Sequence, residues 1–193
     1  MSATVALQVL NLLQVIHTAG RVHRDIRPDN LLFHPRDAGP IDDDLMVIDW
    51  AFSCSRNEET AYCGATHFVS PAVAEHLIAR AGRAGPAPTF CYTATDDVHS
   101  WLRVCVFMFN RVSMSAALSR LDRITDLGKK QRLVKKMFDD ELASPTWRVL
   151  AGAVNALEER DPRVFNAPPA GVFDYTHLRD LIPLRRQRVY AMQ

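Results

Sequence analysis

Apolar residues recur at helical spacing near the start of the chain. The positions that share this face are Val5, Val9, Leu12, Leu13 and Ile16. This spacing predicts an amphipathic helix from Val5 to Thr18, and Gly20 is placed to end it. Two short apolar runs, NLLFH (30–34) and LMVID (45–49), are separated by a polar loop that contains proline and glycine. They predict two short strands of a β-hairpin, with Asp49 at the end of the second strand.

The rest of the chain has mostly helical patterning. Residues 50–70 are small, polar and non-periodic, so we expect a loop there. Further helices are expected near Asp97–Arg111, Met114–Arg123, Lys129–Leu142, Thr146–Glu159 and Tyr175–Leu181. The pattern therefore predicts one mainly α-helical domain with a short β-hairpin near its beginning.

Composition narrows the classes of function. The chain has 193 residues, is 48% hydrophobic and carries a net charge of +1, so one sizeable core is expected and no global field favours nucleic acid. No apolar run is long enough to span a membrane. The 4 cysteines form no CxxC pair, which is typical of reduced thiols. We expect a soluble intracellular protein, cytoplasmic or nuclear, with neither nucleic acid nor membrane as a partner.

The segment VHRDIRPDNLL (22–32) carries the candidate chemistry. The predicted hairpin returns Asp49 towards the loop that holds Asp25 and Asn30. Asn30 and Asp49 offer the oxygen ligands that Mg²⁺ takes when nucleotide phosphates also bind it. Asp25 can then deprotonate a hydroxyl nucleophile, and Arg27 can neutralise charge on a transferred phosphoryl group. The sequence predicts a phosphoryl-transfer site.

These residues resemble the protein kinase signatures. HRDIRPDN (23–30) resembles the catalytic loop, Asp49-Trp50-Ala51 stands in the place of DFG, GATHFVSPAV (64–73) resembles the end of an activation segment, and DDVHSW (96–101) resembles the start of the central helix of the large lobe. The combination is most similar to fungal-type protein kinases and related kinase-like effector domains. The resemblance implies a kinase-like fold, large (C-terminal) lobe only, over residues 1–193.

The resemblance also implies roles for individual residues. Asp25 and Arg27 are the catalytic residues, Arg27, Asn30 and Asp49 bind the cofactor, and Asn30 and Asp49 are the metal ligands for ATP with Mg²⁺. The aspartate matched by Asp97 braces the backbone of the catalytic loop in such kinases. The implied reaction is transfer of the ATP γ-phosphoryl group to the serine or threonine hydroxyl of a protein substrate.

Too little sequence precedes His23 to supply the small lobe of a complete kinase. We expect this chain alone to be weakly active or inactive, and three explanations stay open: a shortened sequence, a small lobe supplied by a partner chain, or a degenerate pseudokinase. Two alternative functions stay open: an inactive pseudokinase interaction module, and a small-molecule phosphotransferase of the aminoglycoside-kinase type. Two further departures are Ala51 for the DFG glycine and Ala72 for the APE glutamate.

Arg24 suggests regulation through the activation segment. An arginine just before the catalytic aspartate needs an anion nearby. We expect that anion to be a phosphate added between Ser53 and Thr66, or else the carboxylate of Glu58 or Glu59.

Overall fold

A computed structural model describes residues 3–33, 45–56, 58–83, 85, 89–158 and 175–182, and it is mostly helical. The helices are α1 Ala3–Thr18, α2 Pro71–Arg80, α3 Ala94–Phe109, α4 Arg111–Leu121, α5 Leu127–Leu142, α6 Arg148–Glu158 and α7 Thr176–Leu181. The strands are β1 Arg21–Val22, β2 Leu31–Phe33, β3 Leu45–Val47, β4 Cys54–Ser55, β5 Glu59–Ala61 and β6 Thr89–Cys91. All of the predicted helices are present, with boundaries shifted by up to three residues.

Helix α3 is the centre of the main core. Its residues from Ala94 to Val106 are all buried, so neighbours surround it on every side. Helices α1, α2, α4, α5 and α6 all contact it. Trp101 is fully buried, and its indole N–H donates a 3.0 Å hydrogen bond to the carbonyl oxygen of Ala6 in α1. The first helix and the central helix are therefore joined by packing and by a buried polar contact.

The predicted hairpin is confirmed. Strands β2 and β3 pair antiparallel, with Leu31 opposite Val47 and Phe33 opposite Leu45. The predicted loop between them, 35–44, lies outside the described residues. The hairpin therefore brings the residues after β3 back beside the residues before β2, which is where the candidate site residues lie.

The prediction of a loop over 50–70 was wrong in part, because this segment contains β4 and β5. Strand β4 pairs antiparallel with β1, with Val22 opposite Cys54, and β5 pairs with β6, with Glu59 opposite Cys91. Strands of two or three residues are too short to show alternation in a sequence. Their pairing is decided by long-range contacts instead.

The second core cluster lies under the activation-segment region. It consists of Val22, Cys54, Val69, Val73, Ala74, Leu77 and Tyr92. Ser70 joins this cluster to the main core: its hydroxyl accepts a 3.1 Å hydrogen bond from the Val73 amide as the N-cap of α2, and it donates to the Asp96 carboxylate near the start of α3. None of the described helices combines the length and the apolarity needed to cross a bilayer.

The packing of α1 predicts a large cost for truncating its buried face. Leu13→Ala should lower the free energy of unfolding by about 2–5 kcal/mol, because Leu13 is completely buried and its removal leaves a cavity. Val15→Ala is the matched control on the same helix, since Val15 is 67% exposed. Urea denaturation followed by circular dichroism measures both. Equal losses in the two variants would contradict this account of the helix.

The Ser70 contacts predict a pH-dependent loss. Burial raises the pKa of Asp96 above its ordinary value of 3.8, and the Ser70 hydroxyl opposes that rise by donating to the charged form. Ser70→Ala should cost about 1 kcal/mol for the missing cap at any pH. A further loss should appear as the pH rises through the raised pKa of Asp96 and the carboxylate ionises without this donor.

Denaturation of Ser70→Ala across pH 4 to 8, compared with Ser113→Ala, measures this dependence. Ser113 is exposed and serves as the control. A deficit that stays constant or shrinks with rising pH would show that the Ser70 hydroxyl does not support the Asp96 carboxylate.

Candidate functional site

The loop at 23–27 is fastened at its beginning by Asp97 of α3. The Asp97 carboxylate accepts hydrogen bonds from the backbone amides of His23, at 2.7 Å, and Arg24, at 2.9 Å. Asp97 is 1% exposed, so these donors compensate for the burial of its charge. The expected bracing of the loop by Asp97 is confirmed. It holds Arg24 at a φ of 73°, a left-handed conformation that costs a non-glycine residue free energy.

His23 connects this loop to the end of β3. Its Nε2 lies 3.0 Å from the carbonyl oxygen of Ile48, and its ring packs edge-on against Trp50. Because Ile48 N–H also donates to the carbonyl oxygen of Asn30, at 3.0 Å, the residue before Asp49 is bonded to both parts of the catalytic loop. Asp49 itself has a φ of 63°. The backbone therefore turns sharply at the end of the hairpin.

Asp25 and Asn30 form a direct pair. The Asn30 side-chain amide donates to the Asp25 carboxylate oxygen Oδ2 and to the Asp25 backbone carbonyl, both at 2.9 Å. Asp25 is 5% exposed and Asn30 is 3% exposed. With its NH₂ group engaged in this way, Asn30 keeps its Oδ1 as the atom able to bind a cation.

Arg27 lies beside the same carboxylate. Its Nε is 3.4 Å from Asp25 Oδ2 and 3.8 Å from Asp29 Oδ2, and its side chain is 33% exposed. The two acidic neighbours hold the guanidinium at the rim of the site, where it can contact an incoming anion.

Asp49 is the least constrained of the predicted residues. It is exposed, and among the described residues none donates a hydrogen bond to its carboxylate. A free carboxylate and a free amide oxygen suit Mg²⁺, which binds few protein oxygens and completes its shell with phosphate and water. The described residues contain no cluster of three or more His, Cys, Asp or Glu side chains able to hold a metal alone. The donor set therefore fits a nucleotide-bound magnesium better than a resident ion.

The segment after β5 covers Asp25 from the other side. The Ala65 amide donates to Asp25 Oδ1, at 3.2 Å, and the Tyr62 hydroxyl donates to the Ala65 carbonyl, at 2.7 Å. Gly64 has a φ of 129°, and a Cβ at this position would lie 3.6 Å from Asp25 Oδ1. Glycine therefore permits the backbone conformation that brings the next amide to the carboxylate.

Arg24 finds neutral partners in this structure. Its guanidinium lies 4.1 Å from the centroid of the Tyr92 ring and donates to the Ala61 carbonyl at 2.6 Å. The Glu58 carboxylate instead accepts a hydrogen bond from the Ser55 amide. The described structure therefore pairs Arg24 with an aromatic face and a carbonyl, and a phosphate in this segment stays a prediction.

Sequence reasoning missed several contributors. The Ala65 contact is made by a backbone amide, which any residue type except proline could supply. His17 and Tyr175 do not touch Asp25 in the described structure, and they are connected to the loop through Asp97. A cavity of about 600 Å³ lies between α2 and α5, with Tyr62, Arg80 and Arg132 in its wall. None of Asp25, Arg27, Asn30 and Asp49 lines it.

Comparison with known proteins gives consistent matches over the first part of the chain. A family model described as protein kinase domain matches residues 2–88. Calcium/calmodulin-dependent protein kinase type 1 of Caenorhabditis briggsae is 36% identical over 70 residues, which cover 34% of this chain and 18% of that protein. Calcium/calmodulin-dependent protein kinase cmkB of Emericella nidulans is 32% identical over 78 residues, covering 37% and 18% respectively. This chain thus matches less than a fifth of the length of these relatives.

Among solved structures, the Cydia pomonella granulovirus kinase PK-1 aligns with a TM-score of 0.42 and 20% identity, over 54% of this chain and 33% of that one. The family match contains Asp25, Arg27, Asn30 and Asp49, the residues that the structure assembles around the loop after α1. The fold is kinase-like and mostly helical. Residues 2–88 are therefore similar to a protein kinase domain, and the relatives named above support the protein kinase superfamily.

Proposed function

We propose that this chain is the catalytic large lobe of a serine/threonine protein kinase, which transfers the γ-phosphoryl group of ATP to a protein hydroxyl. The observation that carries the proposal is the Asp25 carboxylate, which is held by the Asn30 amide on one oxygen and by the Ala65 amide on the other. Each carboxylate oxygen can accept two hydrogen bonds, so each keeps capacity for a substrate hydroxyl. Asp25 is thereby fixed in position and still able to accept a proton.

In this proposal Asp25 orients the substrate hydroxyl and accepts its proton as the oxygen attacks phosphorus. Its contacts with Asn30 and Ala65 restrict rotation of the carboxylate before substrate arrives. Since positioning supplies much of the rate in phosphoryl transfer, a side chain fixed by two donors is suited to this role.

Asn30 Oδ1 and the Asp49 carboxylate would hold magnesium with the nucleotide phosphates. The bound ion would neutralise the phosphate charge in the transferring state. Arg27 adds a second positive group at the rim, where it can contact the phosphoryl group while Asp25 and Asp29 keep it in place. The fit of the free Asp49 carboxylate to a cation supports this assignment.

We also propose that full activity needs a small lobe, from the same protein or from a partner chain, and that this chain alone binds Mg·ATP weakly. The restriction to the large lobe, the span of one domain over 1–193 and the similarity to fungal-type kinases also stay predictions. Calmodulin dependence is named for the relatives alone.

Metal-dependent nucleotide binding tests the site in the chain itself. Mn²⁺ with ATP, as a paramagnetic substitute for Mg²⁺, should broaden the amide signals around Asn30 and Asp49 in a ¹⁵N-labelled sample. Asp49→Asn should remove most of this broadening because it removes the charged ligand. Asp29→Asn is the matched control, since Asp29 lies in the same loop with a side chain that is 78% exposed.

Three outcomes distinguish the proposed metal site from its alternatives. Loss of broadening in Asp49→Asn alone supports the site. Equal loss in both variants indicates that general negative charge attracts the metal. No broadening in the wild-type chain at millimolar Mn·ATP contradicts the proposed ligand pair and favours a non-catalytic interaction module.

The rate of phosphoryl transfer tests the assignment of Asp25 as the general base. When the small lobe is present, Asp25→Asn should lower kcat by about a thousandfold or more, because an amide cannot accept the hydroxyl proton. Arg27→Lys should be milder, since it keeps the positive charge and loses only the guanidinium fork. Transfer of ³²P from ATP to a serine peptide measures both. Wild-type rates in Asp25→Asn would refute its assignment as base.

A further inference from the structure

A buried chain of polar side chains joins the last described helix to the catalytic loop. The Tyr175 hydroxyl, just before α7, is hydrogen-bonded to Nδ1 of His17 at the end of α1. The other ring nitrogen of His17, Nε2, lies 2.9 Å from Asp97 Oδ2. All three side chains are nearly inaccessible to solvent, with exposures of 1% for Tyr175, 2% for His17 and 1% for Asp97. The three hydrogen-bonded side chains therefore lie inside the core.

The partners define the direction of each hydrogen bond. Asp97 is an acceptor, so His17 Nε2 must carry a hydrogen. In a neutral imidazole the other nitrogen is then an acceptor, and the Tyr175 hydroxyl is the donor that suits it. Burial raises the pKa of Tyr175, which keeps the phenol protonated and able to donate. Tyr175 thus favours the His17 tautomer that donates to Asp97.

The third link is Asp97 itself. The oxygen that faces His17, Oδ2, also accepts from the His23 amide, and Oδ1 accepts from the Arg24 amide. Arg24 has the left-handed backbone and directly precedes Asp25. If His17 presented an acceptor nitrogen to Asp97, the carboxylate would be repelled and could turn away from these amides. The conformation around Asp25 therefore depends on the direction of the His17 bond.

The docking of α7 supports this coupling. Arg179 donates through Nε to Asn11 Oδ1, at 2.9 Å, and through Nη2 to Gln14 Oε1, so α7 is bonded to the same helix that carries His17. Leu178 and Ile182 are buried in the main core. Tyr175 is thus held against α1 by apolar and polar contacts on the segment that follows it.

We propose that Tyr175 is a positioning residue for the catalytic loop, and that its hydroxyl stabilises the His17 tautomer and ring orientation that hold Asp97 on the His23 and Arg24 amides. This inference rests on the proposed kinase function for its catalytic meaning. Its structural content can be measured without any turnover. Tyr175 touches neither the substrate hydroxyl nor the phosphates in this proposal, and it acts only through His17 and Asp97.

The test compares Tyr175→Phe with Ile182→Val in the full 193-residue chain. Tyr175→Phe keeps the ring and removes the hydroxyl. Ile182→Val removes one buried methyl group from the same segment, leaves the hydroxyl in place and has a similar expected cost in global stability. Amide hydrogen exchange is measured for His23 and Arg24, and ¹⁵N shifts of the imidazole report the His17 tautomer.

We expect Tyr175→Phe to speed exchange at both amides by about fivefold beyond the change in global stability, the factor that one hydrogen bond of ordinary strength supplies. It should also move the ¹⁵N shift of His17 Nδ1, because that nitrogen loses its hydrogen-bond donor. Ile182→Val should change neither quantity. Unchanged amide exchange in Tyr175→Phe, or an Nδ1–H tautomer in the wild-type chain, would overturn the proposal.

Measurements of kinase activity distinguish a failure of this inference from a failure of the proposed function. When the small lobe is present, Tyr175→Phe should lower kcat with little change in KM for ATP, because the loop geometry and not the nucleotide contacts is altered. An inactive wild-type enzyme would refute the proposed function while the exchange and tautomer results stand. An active enzyme with unaltered exchange in Tyr175→Phe would refute the positioning role alone.

Discussion

Asp97 is a buried carboxylate, and a buried carboxylate needs hydrogen-bond donors around it. Taking a charge out of water costs several kcal/mol unless hydrogen bonds replace the lost hydration. Here the replacements are two backbone amides of the catalytic loop and one imidazole from α1. The loop therefore has its conformation because the core requires its amides. The left-handed backbone of Arg24 persists because the amides of His23 and Arg24 are both hydrogen-bonded to Asp97.

The apolar packing makes this arrangement possible. Helix α3 is buried on all sides, so Asp97 lies on a helix that its neighbours pack against from every direction. Its neighbour Asp96 has a separate task, since it accepts from Thr93 and from Ser70 and thereby joins the end of the activation segment to the same helix. Two adjacent carboxylates thus fasten two loops to one core helix. Asp25 lies between those loops and receives a donor from each, the Asn30 amide and the Ala65 amide.

Much of this could be predicted from the sequence, and the part that could not has a physical reason. Helical periodicity predicted six of the seven described helices, all except α2, and two apolar segments separated by a turn predicted the β2–β3 hairpin. The order and spacing of several motifs predicted the candidate site, and the structure places the Asn30 amide against the Asp25 carboxylate. The β1–β4 and β5–β6 pairs were missed because their strands are too short to show a period. Tyr175 was missed because its partner His17 is 158 residues away, and no local pattern connects them.

The distances in sequence also determine when the loop can form during synthesis. Helix α1 and the residues from His23 to Asn30 leave the ribosome before Asp97, which follows His23 by 74 residues. Tyr175 is synthesised later still, so the hydrogen bonds that join Tyr175, His17 and Asp97 form only when almost all of the core is available. Loops of this length close slowly compared with local turns. The loop from His23 to Asn30 is therefore synthesised well before the residues that fix its geometry, and until those residues are made its surroundings depend on whatever holds the nascent chain.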